Sequence, residues 1–292
     1  MAGLKEIRTR IASVKSTQKI TSAMKMVAAA RLRKSQEKII RLRPYANKLD
    51  EILASIQKSL EGEIENVLIQ DREPNKVLIV LVISNRGLCG AFNSNAIKRA
   101  LHLARETYGE QMKNNNLTFY AIGKKGADFL QLKKYLIEKI NYEVFEELSF
   151  ENIAVLAQQL IDQYVEGKFD HIEFVYNQFR NAAIQDVITE KFLPLEISEE
   201  EGNARKFIDY IFEPDQKFLV ENLIPKSLKI KMFKIILDSF TAEHGARMTA
   251  MHQATDNAIE LIRELTLYYN QARQAAITKE LLDIVGGAEA LR

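Results

Sequence analysis

The sequence predicts an α/β protein with long helices: an antiparallel coiled coil of its N- and C-terminal helices, with an α/β domain inserted between them. Three observations carry this expectation. Apolar residues at both ends recur in alternating steps of three and four, which is the seam of a coiled coil. Strand-like runs alternate with helix-like segments in the middle, implying a parallel sheet with right-handed crossovers. Each terminal helix has only one apolar stripe to bury, and an insertion between two such helices favours antiparallel pairing.

Residues 1–60 read as the first helix of a shaft. Leu4, Ile7, Ile11 and Val14 step by three, four and three. Gln18 breaks this seam, and Ile20, Met24 and Val27 resume it in a shifted phase. Ile39, Leu42, Ala46, Leu49, Leu53, Ile56 and Leu60 then restore strict heptad spacing. A phase shift of this kind changes the supercoil locally. A helix over most of the segment would be roughly 85 Å long at 1.5 Å per residue, with a bend at Pro44.

Residues 75–204 read as the globular insertion. Strands are predicted at Val77–Ile83, Leu117–Ile122, Tyr142–Phe145 and His171–Tyr176, with helices near 95–113, 124–137 and 150–166. Ala183–Leu193 pairs with His171–Tyr176 as a hairpin through "NQFRN". The acidic stretch 196–204 is a loop, and "KFIDYIF" adds an edge strand before Pro214.

Residues 205–292 form a return segment and the second shaft helix. That helix is predicted to start near Asp215 and to stop at Gly286-Gly287, a pair suited to a helix end. Its seam is Met251, Ala254, Ala258, Leu261, Leu265, Tyr268, Ala272 and Ala275. Four of these eight are alanine, so a partner helix can approach closely. Unbroken, the helix would be roughly 105 Å long, with a bend at Pro225.

Composition narrows the function classes. No apolar run approaches the ~20 residues that span a bilayer. The N-terminus has no apolar signal core and begins with helical periodicity, so a transit peptide is not expected. The single Cys89 fits a reducing compartment. Net charge is +2, yet residues 1–50 hold thirteen Lys/Arg against three acidic residues. Such a basic helix suggests an acidic partner, nucleic acid or an anionic surface; a solvated helical face is the plainer reading.

The loop "SNRGLCGAFN" (84–93) has the outline of a phosphate-binding turn. A dinucleotide site needs G-x-G-x-x-G, and a P-loop needs a lysine followed by Ser/Thr. Only Gly87-Leu88-Cys89-Gly90 is present. "IGKKGAD" (122–128) likewise lacks the spacing. A tight strand-to-helix turn, with glycines for unusual backbone angles, explains both better. Cys89 has no histidine in a recognisable signature beside it. One Cys and four scattered His residues offer no zinc-ligand pair. Acidic pairs such as Glu146-Glu147 sit in polar stretches. No catalytic residue, metal site, nucleotide site or cofactor is predicted.

Three kinds of segment resemble a known family. "IRTRIASVKSTQKITSAMKMVAAARLRKSQ" is similar to the N-terminal helix of the gamma subunits of bacterial-type F-type proton-translocating ATP synthase. "SNRGLCGAFN" resembles their central loop. "ARMTAMHQATDNA" and "YNQARQAAITKELLDIVGGAEAL" resemble their C-terminal helix. The resemblance covers essentially the whole chain and implies a coiled coil with an inserted Rossmann-like domain.

The resemblance also implies a rotor shaft. The partners would be a hexamer of alpha and beta subunits, an epsilon subunit and a c-ring, with delta, a and b in the same complex. The chain would be non-catalytic, turning with the ring, forcing the beta-subunit sites through different conformations and regulating ATPase activity and proton flow. Carried over by motif, Arg86, Arg247, Arg273, Gln274 and Thr278 are beta-subunit contacts. Met24, Lys25, Arg31 and Arg33 line the region where the shaft enters the hexamer. Ile277, Leu281, Leu282, Ile284 and Val285 put apolar side chains on several faces of the helix end, a tip that should be surrounded by something, and the resemblance implies that they sit in an apolar bearing. The cysteine pair of plant chloroplast relatives is absent, so that thiol switch is not expected. A bacterial plasma membrane, cytoplasmic side, contacted only indirectly, is the implied location. Two other readings are a nucleotide-binding α/β enzyme with helical arms and a nucleic-acid-binding coiled coil, the latter with affinity falling steeply with salt. Both leave the paired heptads and the apolar tip unexplained.

Overall fold

The computed structural model describes residues 2–59, 67–195 and 216–289. In chain order the elements are α1 (Ala2–Ser59), β1 (Val77–Val82), α2 (Phe92–Glu106), α3 (Gly109–Lys113), β2 (Leu117–Ile122), α4 (Lys124–Leu132), β3 (Ile137–Asn141), α5 (Phe150–Val165), β4 (His171–Phe179), β5 (Gln185–Leu193) and α6 (Gln216–Glu289). They form two compact units, residues 1–29 with 247–292, and residues 30–246.

The larger unit is built on one five-stranded sheet in the order β3-β2-β1-β4-β5. β1 pairs in parallel with β2 and β4, β2 with β3, and β5 closes antiparallel on β4. All six residues of β1 are buried, as expected for a parallel strand covered on both faces. Leu78, Val80 and Val82 face a core made with Tyr120, Phe174, Tyr176, α5 residues Ile153, Leu156 and Leu160, and α6 residues Leu228, Met232, Ile235 and Ile236. Leu81 and Ile83 face the other way, towards α4 at Gly126. Ala46 and Leu49 of α1 pack on Ile230 of α6.

Four predicted elements differ. Tyr142–Phe145 is not a strand: Glu143–Phe145 is a short 3-10 turn, and the strand is Ile137–Asn141. The helix expected near 124–137 ends at Leu132, because Lys134 adopts φ 58°. The second shaft helix runs to Glu289, so Gly286-Gly287 lies inside it and does not stop it. The predicted helix 95–113 is two helices, separated at Thr107 and Tyr108. The acidic loop and the "KFIDYIF" strand lie outside the described residues.

The seam of α1 also differs, and the reason is chemical. Its inward positions are Leu4, Ile7, Ile11, Val14, Gln18, Thr21, Lys25, Ala28, Leu32, Ser35, Ile39, Leu42, Ala46, Leu49 and Leu53, each buried or half-buried. These steps of three and four never slip. There is no phase shift: Ile20 and Val27 are exposed, and polar residues hold their inward places. On α6, Tyr269 and Ala276 are half-buried where Tyr268 and Ala275 were expected. Nor does α6 show a single stripe throughout, because Ile235–Gly245 is buried nearly all round except Phe240. There it meets α1 on one side and the sheet on another.

Candidate functional site

The sheet changes direction between β1 and β4. Open α/β sheets bind ligands at such a point, outside the carboxyl ends of the strands. Here that region is occupied by the chain's own groups. Ser84, one residue beyond Ile83, donates its hydroxyl to Arg86 O at 2.6 Å and accepts from Asn93 Nδ2 at 2.8 Å. Its amide donates to Asn93 Oδ1 at 3.1 Å. Asn177 of β4 donates to Phe92 O at 3.3 Å, and Ser239 of α6 donates to Val82 O at 3.4 Å. Asn93 therefore folds the loop 84–93 back on itself.

The second phosphate-like segment has a similar explanation. Gly123 has φ 117°, and a Cβ there would lie 2.0 Å from Ile83 O. A Cβ on Gly126 would lie 2.9 Å from Ile83 Cδ1. These glycines let α4 pack against β1. The first amides of α4 are already used: Lys124 N donates to Asn85 Oδ1 at 3.0 Å and Lys125 N to Ser84 O at 3.2 Å. An anion at this helix end would have to displace them. In the loop itself Gly90 (φ 59°) takes a left-handed conformation as anticipated, but Gly87 does not; Leu88 does, at φ 62°. Among the described residues no group of three His, Cys, Asp or Glu side chains could hold a metal ion.

The residues predicted for contact fall into distinct settings. Arg86 is exposed on the loop tip. Arg31 and Arg33 are exposed on α1, with Arg33 reaching Glu37 at 3.6 Å one turn on. Met24 and Lys25 are half-buried, Lys25 at a seam position. Arg273, Gln274 and Thr278 are exposed on α6, and Thr278 bonds back to Gln274 O at 2.9 Å. Ile277, Leu281, Leu282, Ile284 and Val285 are 47–68 % exposed. Arg247 is different: it is only 8 % exposed and engaged within the chain.

Two polar pairs escape a motif search. Thr21 of α1 and Thr255 of α6 meet through their hydroxyls at 2.8 Å, both buried. Arg43 of α1 pairs with the fully buried Asp238 of α6 at 3.1 Å and also donates to Phe179 O, in β4, at 3.0 Å. Burial raises the Asp238 pKa, against the Arg43 charge that lowers it. The available signal was positional: Thr21 and Asp238 sit where a seam or core residue belongs.

Comparison with known proteins gives a consistent result. The family described as ATP synthase matches residues 3–291. The ATP synthase gamma chain of Flavobacterium johnsoniae is 54 % identical over 291 residues, covering 100 % of this chain and 99 % of that one. The ATP synthase gamma chain of Flavobacterium psychrophilum is 53 % identical over 292 residues, covering 100 % of both. The fold is shared with a chain in the OSCP/F1/c-ring structure of Euglena gracilis mitochondrial ATP synthase: TM-score 0.70, 20 % identity, 99 % of this chain and 95 % of that one.

Proposed function

The chain belongs to the ATP synthase gamma chain family, and from that premise we propose how its own residues serve the central rotor of the complex. As a gamma chain it is a non-catalytic subunit. Its partners are the alpha and beta subunits, the epsilon subunit and the c-ring, with delta, a and b in the same assembly. Among the described residues no helix is long and apolar enough to cross a membrane, so attachment to the bilayer runs through those partners. Its place is the cytoplasmic face of a bacterial plasma membrane.

One observation carries the site assignment. Five apolar side chains near the end of α6, from Ile277 to Val285, are exposed to solvent in the chain alone. Apolar exposure on this scale marks a surface made to be covered. We assign them to a bearing inside the alpha–beta hexamer. Arg273, Gln274 and Thr278, exposed on the same helix, are assigned to beta-subunit loops. Arg86 is assigned to an acidic beta-subunit loop. Met24, Lys25, Arg31 and Arg33 are assigned to the region where the shaft enters. Arg247 is assigned to a beta-subunit contact in that same region, with most of its surface used within the chain. Functionally the division is shaft helix 1–60, globular domain 75–204, and return segment with second shaft helix 205–292.

The mechanism follows from differential contact. A shaft changes the populations of catalytic-site states only to the extent that it binds those states differently. Rotation presents different faces of α1 and α6 to each beta subunit in turn. The test is co-purification with alpha and beta subunits, followed by ATPase assay with and without this chain. Retention in the complex and a raised ATPase are expected. An unchanged ATPase would sink the rotor reading.

A further inference from the structure

Torque between the sheet and the two helices has to pass through contacts of the larger unit. Most are apolar: Leu228, Met232, Ile235 and Ile236 of α6 pack on the sheet core, and Ile230 packs on Ala46 and Leu49 of α1. Apolar burial is non-directional, so it holds surfaces together while resisting sliding only through shape. Among the directional contacts of the described residues, that of Arg43 joins three elements at once. The Arg43 guanidinium, from α1, binds Asp238 Oδ1 of α6 at 3.1 Å and Phe179 O of β4 at 3.0 Å through the same nitrogen, Nη2. Asp238 is fully buried, and its Oδ2 has no hydrogen-bond partner among the described residues.

We propose that Arg43 and Asp238 are positioning residues of the rotor: their pairing, with Phe179 O, locks the axial and rotational register of α1 and α6 on the sheet so that torque crosses without slip. This rests on the rotor reading above. Burial of a charged pair stabilises little, because desolvation offsets the attraction, and its best-attested use is to fix one arrangement among several. The raised pKa of Asp238, caused first by burial, agrees with a contact that is costly and specific. Around it, Tyr176 donates to Glu190 Oε2 at 2.7 Å and Lys231 reaches Glu190 at 3.3 Å. Both Glu190 oxygens, beside the tie, therefore already have a partner.

The two duties of a rotor separate this role from general stability. ATP hydrolysis by the chain with alpha and beta subunits needs only the helices to turn within the hexamer. ATP-driven proton uptake, by the whole complex in lipid vesicles, also needs torque to reach the ring. The double variant R43M/D238L replaces the pair by apolar groups. Hydrolysis within twofold of wild type is expected, with the ratio of proton uptake to hydrolysis falling twofold or more. R43K keeps the charge but replaces the rigid, planar guanidinium with a flexible, shorter-reaching ammonium, and an intermediate ratio is expected. If the double variant does not assemble, D238N, close in shape to the native residue, is read by the same ratio, and a fall is again expected. An unchanged ratio, or hydrolysis and uptake falling together, overturns the tie. A wild-type chain that supports neither activity overturns the rotor reading, and the tie with it.

Discussion

The hydroxyls of Thr21 and Thr255 face each other at 2.8 Å across the seam between α1 and α6, with both side chains buried. Each also has a backbone acceptor: Thr21 can donate to Gln18 O at 3.1 Å and Thr255 to Met251 O at 2.7 Å. A hydroxyl has one proton, so one threonine donates across the seam while the other donates to its own helix. Replacing one leaves its neighbour under-satisfied; replacing both leaves an apolar seam. Thr255→Val is expected to cost about 1 kcal/mol, and T21V/T255V clearly less than the sum of the two single changes. Urea unfolding of the four chains closes the cycle. Strict additivity would mean that the two hydroxyls do not interact.

The unslipped seam of α1 makes a second prediction. Val27 is exposed and Ala28 is 2 % exposed. Val27→Ser is therefore expected to change stability by no more than about 0.5 kcal/mol. Ala28→Leu, which overfills a close helix contact, is expected to cost about 1–3 kcal/mol. The reverse ranking in denaturant titrations would restore the shifted phase.

Gly123 and Gly126 differ in what surrounds them. Alanine at 123 would drive a Cβ into the Ile83 carbonyl at 2.0 Å and hold φ 117° against its own sterics. A loss of about 3 kcal/mol or more is expected. Alanine at 126 meets the flexible end of the Ile83 side chain at 2.9 Å, and about 1 kcal/mol is expected. Thermal unfolding of both variants checks the order.

Asp238 gives a pH dependence with a definite sign. Burial raises its pKa above the ordinary carboxylate value, while Arg43 lowers it. The folded chain therefore holds this proton more tightly than the unfolded chain. The stability contributed is fully present below the unfolded pKa and is lost as pH rises through the folded one. Asp238→Asn has no such titration. The stability of wild type relative to this variant should fall as pH rises from about 4 towards neutral, read from urea midpoints across that range. A rising difference would mean that Arg43 outweighs burial.

Arg86 is exposed at a loop tip, and a single exposed ion pair contributes ~0–1 kcal/mol. Arg86→Ala is expected to slow ATP hydrolysis by the assembled complex without abolishing it. Complete loss of hydrolysis in an intact assembly would give this residue a larger part than its exposure suggests.

The sequence made much of the scaffold legible, and its gaps have physical causes. β1 and β2 announce themselves because strands buried on both faces are continuous apolar runs. β3 hides because it is an edge strand whose Glu138 and Lys139 are exposed, so its charges look like a helix surface. The α1 seam was misread where Gln18, Thr21 and Ser35 hold inward places, since hydropathy registers the type of side chain and not its direction. Of the exposed contact candidates, Arg86 came from motif likeness and Leu281 from the apolar side chains on several faces of the helix end. The partners of Asp238 could not, because Arg43 and Phe179 lie far from it in sequence and meet only after the sheet and α6 are packed.

Gly286 and Gly287 are helical, and a Cβ on either would meet open space. Neither glycine admits a neighbour among the described residues. Each lowers local helix propensity by about 1 kcal/mol relative to alanine. The last turns therefore carry little free energy of their own, and whatever encloses Leu281 to Val285 would supply most of what keeps them wound. Amide-hydrogen exchange over these residues then becomes a gauge of enclosure, quick in the lone subunit and slowed in proportion to how tightly the tip is gripped.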